Sequence, residues 1–423
     1  MEVRPRPTPP DFNLKEKQLY NEGHSTHGTP LIPQEQGQTR WTARRPIHRL
    51  VLRARRRITR PKADTSIPQR RGIEPSPPPQ EARDSTTRPG VLGYIAIFGS
   101  TRSLINQTKA EMRTAFTTTD LGPLTYVLGM HVIRDRPRGM LYLHQSKFAS
   151  DLLSTYGFDT VKPVRTPLAL KTKHSIYDSP SHTPTSDDSS LRVLSLVRPL
   201  IGKFRYLVSC SRFDLCFAIN YLSRFMHNPS LSHWYSLKRC IRYLKHTKHH
   251  GIRFTRSFSH DPPLELLGWS DSDWGGEIDT RKSTASGVFM LAGGAVAWFS
   301  KKQTSVALSS AEAEFVALAL TAKEGVWLQT LLKELLPSQP ISLKIMCDNQ
   351  SCIQLASNPK HSEKTKHVDL KYHYIRELVE QKKLQLTYVS THLMWADLLT
   401  KPLAADKFTQ CSKHLGLCDT AQL

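Results

Sequence analysis

The sequence has few acidic residues for its size. Its 423 residues include 59 lysines and arginines but only 36 aspartates and glutamates, so the formal net charge is +23. An excess of positive charge this large favours a polyanionic partner such as nucleic acid. The alternative is a basic, partly disordered chain whose charge has no binding role.

The sequence also lacks long apolar runs. No stretch approaches the roughly 18 consecutive apolar residues of a membrane span, and the N-terminus has no apolar signal-peptide core. The seven cysteines are odd in number, and the pairs Cys347/Cys352 and Cys411/Cys418 lack the C-x-x-C spacing of a zinc ribbon. We therefore expect reduced thiols, no membrane partner and an intracellular location, cytoplasmic or nuclear.

Residues 1–90 are poor in the apolar residues that a core needs. They hold half of the chain's 28 prolines, together with arginine-rich runs such as residues 53–57. Such a composition cannot offset the entropy cost of ordering the chain. We predict a disordered basic Pro/Arg-rich segment without a role of its own. The alternative is a basic arm that contacts phosphates or directs the chain to the nucleus.

From residue 91 onward the apolar residues follow regular patterns. They predict a strand at 91–98, a helix at 102–117, a hairpin of strands 124–134 and 140–143, and helices at 145–157, around 201–208, at 213–226 and at 231–245. Residues 174–190 are rich in Ser, Thr, Asp and Pro, which predicts a surface linker.

The C-terminal third of the chain predicts an ordered series of strands and helices. The strands are 264–273, 286–291, 295–300, 341–347 and 384–389, and the helices are 309–336, 350–357, 365–382 and one that begins within 396–403. Three antiparallel strands therefore come first, and strands then alternate with helices. This order predicts an α/β (α+β) domain with a mixed sheet covered by helices.

Four acidic residues lie where this domain could bring them together. Asp271 is late in the first strand, Glu314 is in the first turns of the long helix, Asp348 follows a strand, and Asp397 is near a helix start. Carboxylate oxygens are the ligands that Mg²⁺ prefers, and paired divalent ions support phosphodiester hydrolysis. The alternative for any one of them is a solvated side chain or a helix cap.

Spacing alone leaves two choices open. Asp271 and Asp273 share one face of a strand because side chains alternate along it. Glu312 and Glu314 point in different directions on their helix, but the apolar pattern around them is too broad to select one.

The motifs around these acids resemble the Pol polyprotein of copia-type LTR retrotransposons. The matching segments are 279–287 (DTRKSTASG), 298–303 (WFSKKQ), 307–314 (ALSSAEAE), 347–351 (CDNQS), 365–369 (TKHVD) and 396–403 (ADLLTKPL). Several independent motifs in the family's order make a chance match improbable. The part from Trp269 to Leu403 resembles the family's ribonuclease H domain, and the resemblance implies a ribonuclease H-like fold with a five-stranded mixed sheet.

The resemblance also implies a site and a substrate. It selects Asp271, Glu314 and Asp348 as the core catalytic and metal-binding carboxylates, with Asp397 as a more mobile fourth, for two Mg²⁺ or Mn²⁺ ions. The implied substrate is the RNA strand of an RNA–DNA hybrid, recognised by shape and 2′-OH contacts. Six basic residues are candidates for phosphate contacts: Arg281, Lys282, Lys301, Lys302, Lys364 and Lys366.

Upstream, residues 120–129 (DLGPLTYVLG) and 162–168 (KPVRTPL) resemble the end of the family's reverse transcriptase. The implied domains are a palm and thumb remnant at 91–172, a linker at 173–195, a helical connection at 196–258, the ribonuclease H-like domain at 259–408 and a tail at 409–423. The family's catalytic Tyr-x-Asp-Asp turn is replaced by residues 91–94 (VLGY), which contain no aspartate.

We therefore expect a Mg²⁺-dependent ribonuclease H without polymerase activity. Two alternative hypotheses are that the chain is a catalytically inactive nucleic-acid-binding remnant or an unstable fragment.

Overall fold

A computed structural model describes residues 50–53, 95–99, 101–178, 194–256, 264–357 and 366–421. They all belong to one of the two units into which the chain divides, His48–Leu423. Within the segment predicted to be disordered, residues 1–90, the structure describes Leu50–Arg53, which form a strand paired with Ile95–Phe98 instead. The rest of that segment lies outside the described residues, as do Lys364 and the start of the strand predicted at 91–98.

The described residues form twelve strands and nine α-helices. The strands are β1 (Leu50–Arg53), β2 (Ile95–Phe98), β3 (Tyr126–Val127), β4 (Met130–Asp135), β5 (Met140–His144), β6 (His250–Thr255), β7 (Leu264–Ser272), β8 (Thr284–Leu291), β9 (Gly294–Lys302), β10 (Ile341–Cys347), β11 (Gln385–Tyr388) and β12 (Leu417–Asp419). The helices are α1 (Arg102–Ala115), α2 (Ser146–Thr155), α3 (Val197–Cys210), α4 (Cys216–Ser223), α5 (Leu231–His246), α6 (Ser310–Leu335), α7 (Gln350–Ser357), α8 (Lys366–Glu380) and α9 (Ala405–His414).

The C-terminal sheet confirms the predicted mixed five-stranded arrangement. Its strand order is β11-β10-β7-β8-β9. The strands β7, β8 and β9 pair antiparallel, whereas β10 runs parallel to both β7 and β11. The C-terminal ends of β7 and β10 therefore lie side by side at one edge of the sheet.

The long helix α6 covers one face of this sheet. It begins where the Ser309 hydroxyl accepts a hydrogen bond from the Glu312 backbone N–H at 3.2 Å, which satisfies a donor that a helix start otherwise leaves free. The helix lies so close to the sheet that a Cβ at Gly325 would come within 2.9 Å of Phe289 and Leu343. Its Phe315 and Leu318 are buried with Leu266 and Ile345 of the sheet.

A second five-stranded sheet, which is antiparallel, has the order β12-β6-β5-β4-β3. Its hairpin β4–β5 was predicted, but the single strand expected at 124–134 is divided into β3 and β4. Leu128 (φ 48°) and Gly129 (φ 75°) form the turn between them, because a two-residue turn with positive φ matches the twist of paired strands.

The chain end differs from the expected tail at 409–423. The helix predicted to begin within 396–403 is a short 3₁₀ helix, Trp395–Leu399, and the α-helix α9 begins only at Ala405. Pro402 explains the break, because proline disfavours a helical conformation in the residue before it. The helix α9 then crosses the expected boundary at residue 408, and β12 pairs with β6.

One hydrophobic core joins the helices α2–α5 to the other face of the C-terminal sheet and to α9. Phe213 packs edge-to-face on Trp298 of β9, with ring centroids 5.7 Å apart. Tyr243 packs in the same way on Phe408 of α9, at 5.6 Å. The segments on both sides of residue 258 thus share a core, although the sequence divides them into separate domains.

Among the described helices, α6 is long and apolar enough to cross a membrane by length and composition. Its buried residues include Leu318, Ala319 and Ala322, which pack in the core beneath the sheet. Core helices of this kind pass the same criterion without entering a membrane.

Candidate metal centre

Three carboxylates meet at the edge where β7 and β10 end. Asp271 is the penultimate residue of β7, and Asp348 follows the last residue of β10. The two strands pair in parallel with Trp269 opposite Met346, which brings their following residues to the same edge. Glu314, one turn into α6, completes the group, and oxygens of the three side chains lie within 4.8 Å of one another.

The surroundings of these carboxylates disfavour their charged forms. Burial raises the pKa of Asp271, and it raises the pKa of Glu314 well above its usual value, with the neighbouring Asp271 as a second cause. Burial and the charge of Asp271 also raise the pKa of Asp348. Three like charges in partial burial repel one another, and a bound cation relieves that repulsion.

Spacing alone did not distinguish Asp271 from Asp273 or Glu312 from Glu314, but the members of each pair have different neighbours in the structure. Asp273 lies outside the group and accepts a hydrogen bond from the Thr284 backbone N–H, and burial raises its pKa to about 6. Glu312 accepts a hydrogen bond from the Leu308 backbone N–H at 2.8 Å, at the start of α6. Both acids therefore satisfy backbone donors, whereas Asp271 and Glu314 face each other.

Asp397 lies next to this group but is held by lysines. Its Oδ1 is 2.6 Å from the Lys401 Nζ, and its Oδ2 is 3.9 Å from the Lys407 Nζ. Lys401 also approaches Asp271 Oδ2 at 4.0 Å, and the Thr400 hydroxyl donates a hydrogen bond to that oxygen. Asp397 is 3% exposed, so this carboxylate has its counter-charge within the protein.

The residues present fit a hard divalent cation. The donors are carboxylate oxygens, which suit Mg²⁺ or Mn²⁺. Glu314 Oε2 is one of several described buried side-chain atoms without a hydrogen-bond partner; Asp397 Oδ1 is another, but the Lys401 Nζ lies 2.6 Å from it. A buried carboxylate oxygen without a partner is costly, and a cation held with Asp271 and Asp348 would satisfy it.

The basic residues proposed to contact phosphates differ in exposure and in ion pairing. Lys302 forms an ion pair with the buried Glu277, with Nζ and Oε1 3.0 Å apart. Lys301 and Arg281 are exposed and Lys282 is half-buried. Arg281 adopts a positive φ of 54°. Lys364 and the side chain of Lys366 lie outside the described part of the structure.

Sequence reasoning did not identify Lys401. The available signal was its position four residues after Asp397, in segment 396–403. Acid and base at that spacing form a pair in an ordinary helix, which gives no hint that the lysine also reaches Asp271 on another strand.

No family model matches the chain. It is 36% identical over 323 residues to the retrovirus-related Pol polyprotein from transposon TNT 1-94 of Nicotiana tabacum, covering 76% of this chain and 24% of that protein. It is 36% identical over 326 residues to the corresponding polyprotein from transposon RE1 of Arabidopsis thaliana, covering 76% and 21%. The chain thus spans about a quarter of these relatives or less.

A shorter relative is covered almost completely. The chain is 35% identical over 233 residues to an uncharacterized mitochondrial protein of Arabidopsis thaliana, covering 55% of this chain and 90% of that protein.

Similar solved structures include the N-terminal RNase H domain of rv2228c from Mycobacterium tuberculosis. It has 12% identity and a TM-score of 0.25, with 36% of this chain and 97% of that chain covered. Another is the foamy viral protease-reverse transcriptase in complex with double-stranded DNA, with 11% identity, a TM-score of 0.32 and coverage of 63% and 38%.

Proposed function

Because the chain belongs to the family of retrovirus-related Pol polyproteins from transposons, we propose that it is a copia-type Pol fragment with ribonuclease H activity. Its C-terminal domain would hydrolyse the RNA strand of RNA–DNA hybrids by endonucleolytic cleavage. Asp271, Glu314, Asp348 and Asp397 are the proposed catalytic carboxylates. The proposed cofactor is Mg²⁺ or Mn²⁺, with two ions implied by the family resemblance.

The observation that carries this proposal is the convergence of Asp271, Glu314 and Asp348 within 4.8 Å. They come from two parallel strands and a helix that crosses them, so the sheet fixes their separation. Glu314 adds an oxygen without a partner, and the Thr391 hydroxyl orients Asp348 through a 2.9 Å hydrogen bond to Oδ2. Three carboxylates with a single lysine near them, beside Asp271, are suited to holding a cation.

Each residue has a defined part in the proposed reaction. Divalent ions, when bound, supply charge relief at phosphorus and an activated water. Asp271 and Asp348 hold their position from the ends of neighbouring strands, and Glu314 closes the group from α6. The Thr400 hydroxyl donates a hydrogen bond to one oxygen of Asp271, Oδ2.

Nucleic-acid binding is proposed to depend on the basic residues near this edge. Of the four candidates whose side chains the structure describes, Arg281, Lys282 and Lys301 are exposed or half-buried and form no described ion pair with an acidic residue. Lys302 is proposed mainly to neutralise Glu277, from which it lies 3.0 Å. Phosphate contacts of this kind position a duplex without reading its sequence.

The proposal does not extend to DNA polymerisation. Polymerisation needs paired carboxylates of its own for metal ions, and the segment that resembles the end of the palm has residues 91–94 (VLGY) where the family has Tyr-x-Asp-Asp. We therefore propose that this chain alone has no reverse transcriptase activity.

The test is to incubate the full chain with Mg²⁺ and three labelled duplexes: an RNA–DNA hybrid, double-stranded RNA and double-stranded DNA. We expect internal cuts in the RNA strand of the hybrid alone. Salt-sensitive binding of the hybrid without any cut, by a chain that melts cooperatively, would instead support the nucleic-acid-binding remnant. Absence of cooperative melting would support the unstable fragment.

A further inference from the structure

The Lys401 side chain bridges two of the acidic residues. Its ammonium nitrogen is 2.6 Å from Asp397 Oδ1 and 4.0 Å from Asp271 Oδ2. The three-carboxylate group within 4.8 Å contains Asp271, Glu314 and Asp348 but not Asp397. Asp271 therefore has neighbours on two sides. Glu314 and Asp348 lie on the first side, and Lys401 and Asp397 lie on the second.

These two sides have different counter-charges. The first has three carboxylates and the partnerless Glu314 Oε2, and no lysine or arginine forms an ion pair with Glu314 or Asp348 among the described residues. The second has a lysine in direct contact. We propose that the Lys401 ammonium occupies the second cation position, between Asp271 and Asp397. The chain would then bind one divalent ion tightly and a second ion only by displacing this lysine.

The side chain is able to leave this position. Lys401 is 42% exposed, although its two carboxylate partners are buried at 3% and 5% side-chain exposure. A lysine side chain is positively charged near neutral pH, and both partners of this one are carboxylates. An incoming divalent ion therefore competes with a full positive charge for the same two carboxylates, and the competition weakens its binding.

Lys407 provides a matched control. It also faces Asp397, at 3.9 Å, but its ammonium donates to the carbonyl oxygens of His392 at 2.6 Å and Thr391 at 3.3 Å. It forms no ion pair with Asp271 among the described contacts. Removing its charge should therefore leave the second cation position blocked by Lys401.

The inference rests on the proposed function, and its test separates the two. Mn²⁺ binding to the full chain is measured by equilibrium dialysis for the wild type, Lys401→Met, Lys401→Gln, Lys401→Arg and Lys407→Met. Lys401→Gln keeps a hydrogen-bond donor for Asp397 without the charge, in case Lys401→Met fails to fold. Hybrid cleavage is followed in parallel as a function of Mg²⁺ concentration.

We expect one tight and one weak Mn²⁺ ion in the wild type. In Lys401→Met or Lys401→Gln the second ion should bind at least about tenfold more tightly, because a positive charge next to it has been removed. Lys401→Arg and Lys407→Met should resemble the wild type. If the wild type cleaves the hybrid but neither neutral Lys401 variant tightens the second ion, this inference is wrong and the proposed function stands. If the wild type binds no Mn²⁺ and cleaves no hybrid, the proposed function fails, and this inference fails with it.

Discussion

Glu312 and Glu314 are two residues apart on one helix and have opposite environments. Glu312 accepts a hydrogen bond from the Leu308 N–H at 2.8 Å in the first turn, whereas Glu314 is buried against Asp271 and Asp348. Glu312 thus caps the start of α6, and Glu314 belongs to the group of three carboxylates.

The first prediction compares these two acids. Glu314→Gln should lower the rate of hybrid cleavage at least about 100-fold, because it removes a carboxylate from the proposed metal site. Glu312→Gln should keep cleavage within about threefold and lower stability by at most ~1 kcal/mol, because it weakens only a helix cap. Cleavage rates and thermal melting of both variants provide the measurement. Equal loss of activity in both would contradict the assignment of Glu314.

The second prediction concerns stability with and without divalent ions. Burial and the charge of Asp271 raise the pKa of Asp348, and a carboxylate whose pKa is raised by folding destabilises the fold above its unfolded pKa. Asp348→Asn should therefore raise the melting temperature in EDTA. Mg²⁺ should stabilise the wild type, by about 2.7 kcal/mol at 100 times its Kd, and should stabilise the variant much less. The reverse order in EDTA would contradict the proposed repulsion.

A third prediction follows from the buried ion pair of Arg212 and Asp214. Their side chains are 2% and 0% exposed and 2.7 Å apart, and Tyr243 donates a hydrogen bond to Asp214 at 2.7 Å. Arg212→Met should lower the free energy of unfolding by about 3–5 kcal/mol, because it leaves a buried charge without its partner. Chemical denaturation measures the change. Arg165→Met is the control, because Arg165 pairs with the exposed Asp406, and it should have little effect.

The fourth prediction is a dependence of stability on pH through His233. Burial lowers the pKa of this side chain to about 4, from 6.5 in the unfolded chain. The unfolded state therefore binds more protons as the pH falls, and stability should decrease from about pH 6.5 to about pH 4, by up to ~3 kcal/mol.

His233→Gln removes this titration while keeping a capping box, since Gln suits the position that accepts from the Ser230 backbone N–H. Denaturant unfolding at several pH values should show a shallower loss for the variant. Parallel pH curves for the two proteins would exclude the role given to His233.

Short-range sequence patterns explain why the bounds of some strands and helices could be predicted. The strand at 341–347 and the helix at 350–357 have the expected bounds, because alternation, a flanking proline and caps act within a few residues. The choice between Asp271 and Asp273 depends on which of them the Thr284 N–H reaches, across a hairpin. No pattern within one strand contains that information.

Long-range contacts explain what the sequence did not predict. The short strand β12 exists because β6 offers an edge to it, and Leu417 is buried there. Likewise, the ion pairs of Lys401 combine a neighbour in sequence, Asp397, with Asp271 from a distant strand. Both features depend on how segments far apart in the chain pack. For this reason a fragment ending at residue 408 would lose part of the core, and activity should be measured on the full chain.

The most direct measurement is cleavage of a hybrid labelled on its RNA strand by the full chain with Mg²⁺, comparing the wild type with Asp348→Asn. We predict internal cuts by the wild type and at least about 100-fold slower cleavage by the variant, with no loss of hybrid binding. Equal cleavage by both proteins, or none by a folded wild type that binds the hybrid, would contradict the proposed ribonuclease H activity.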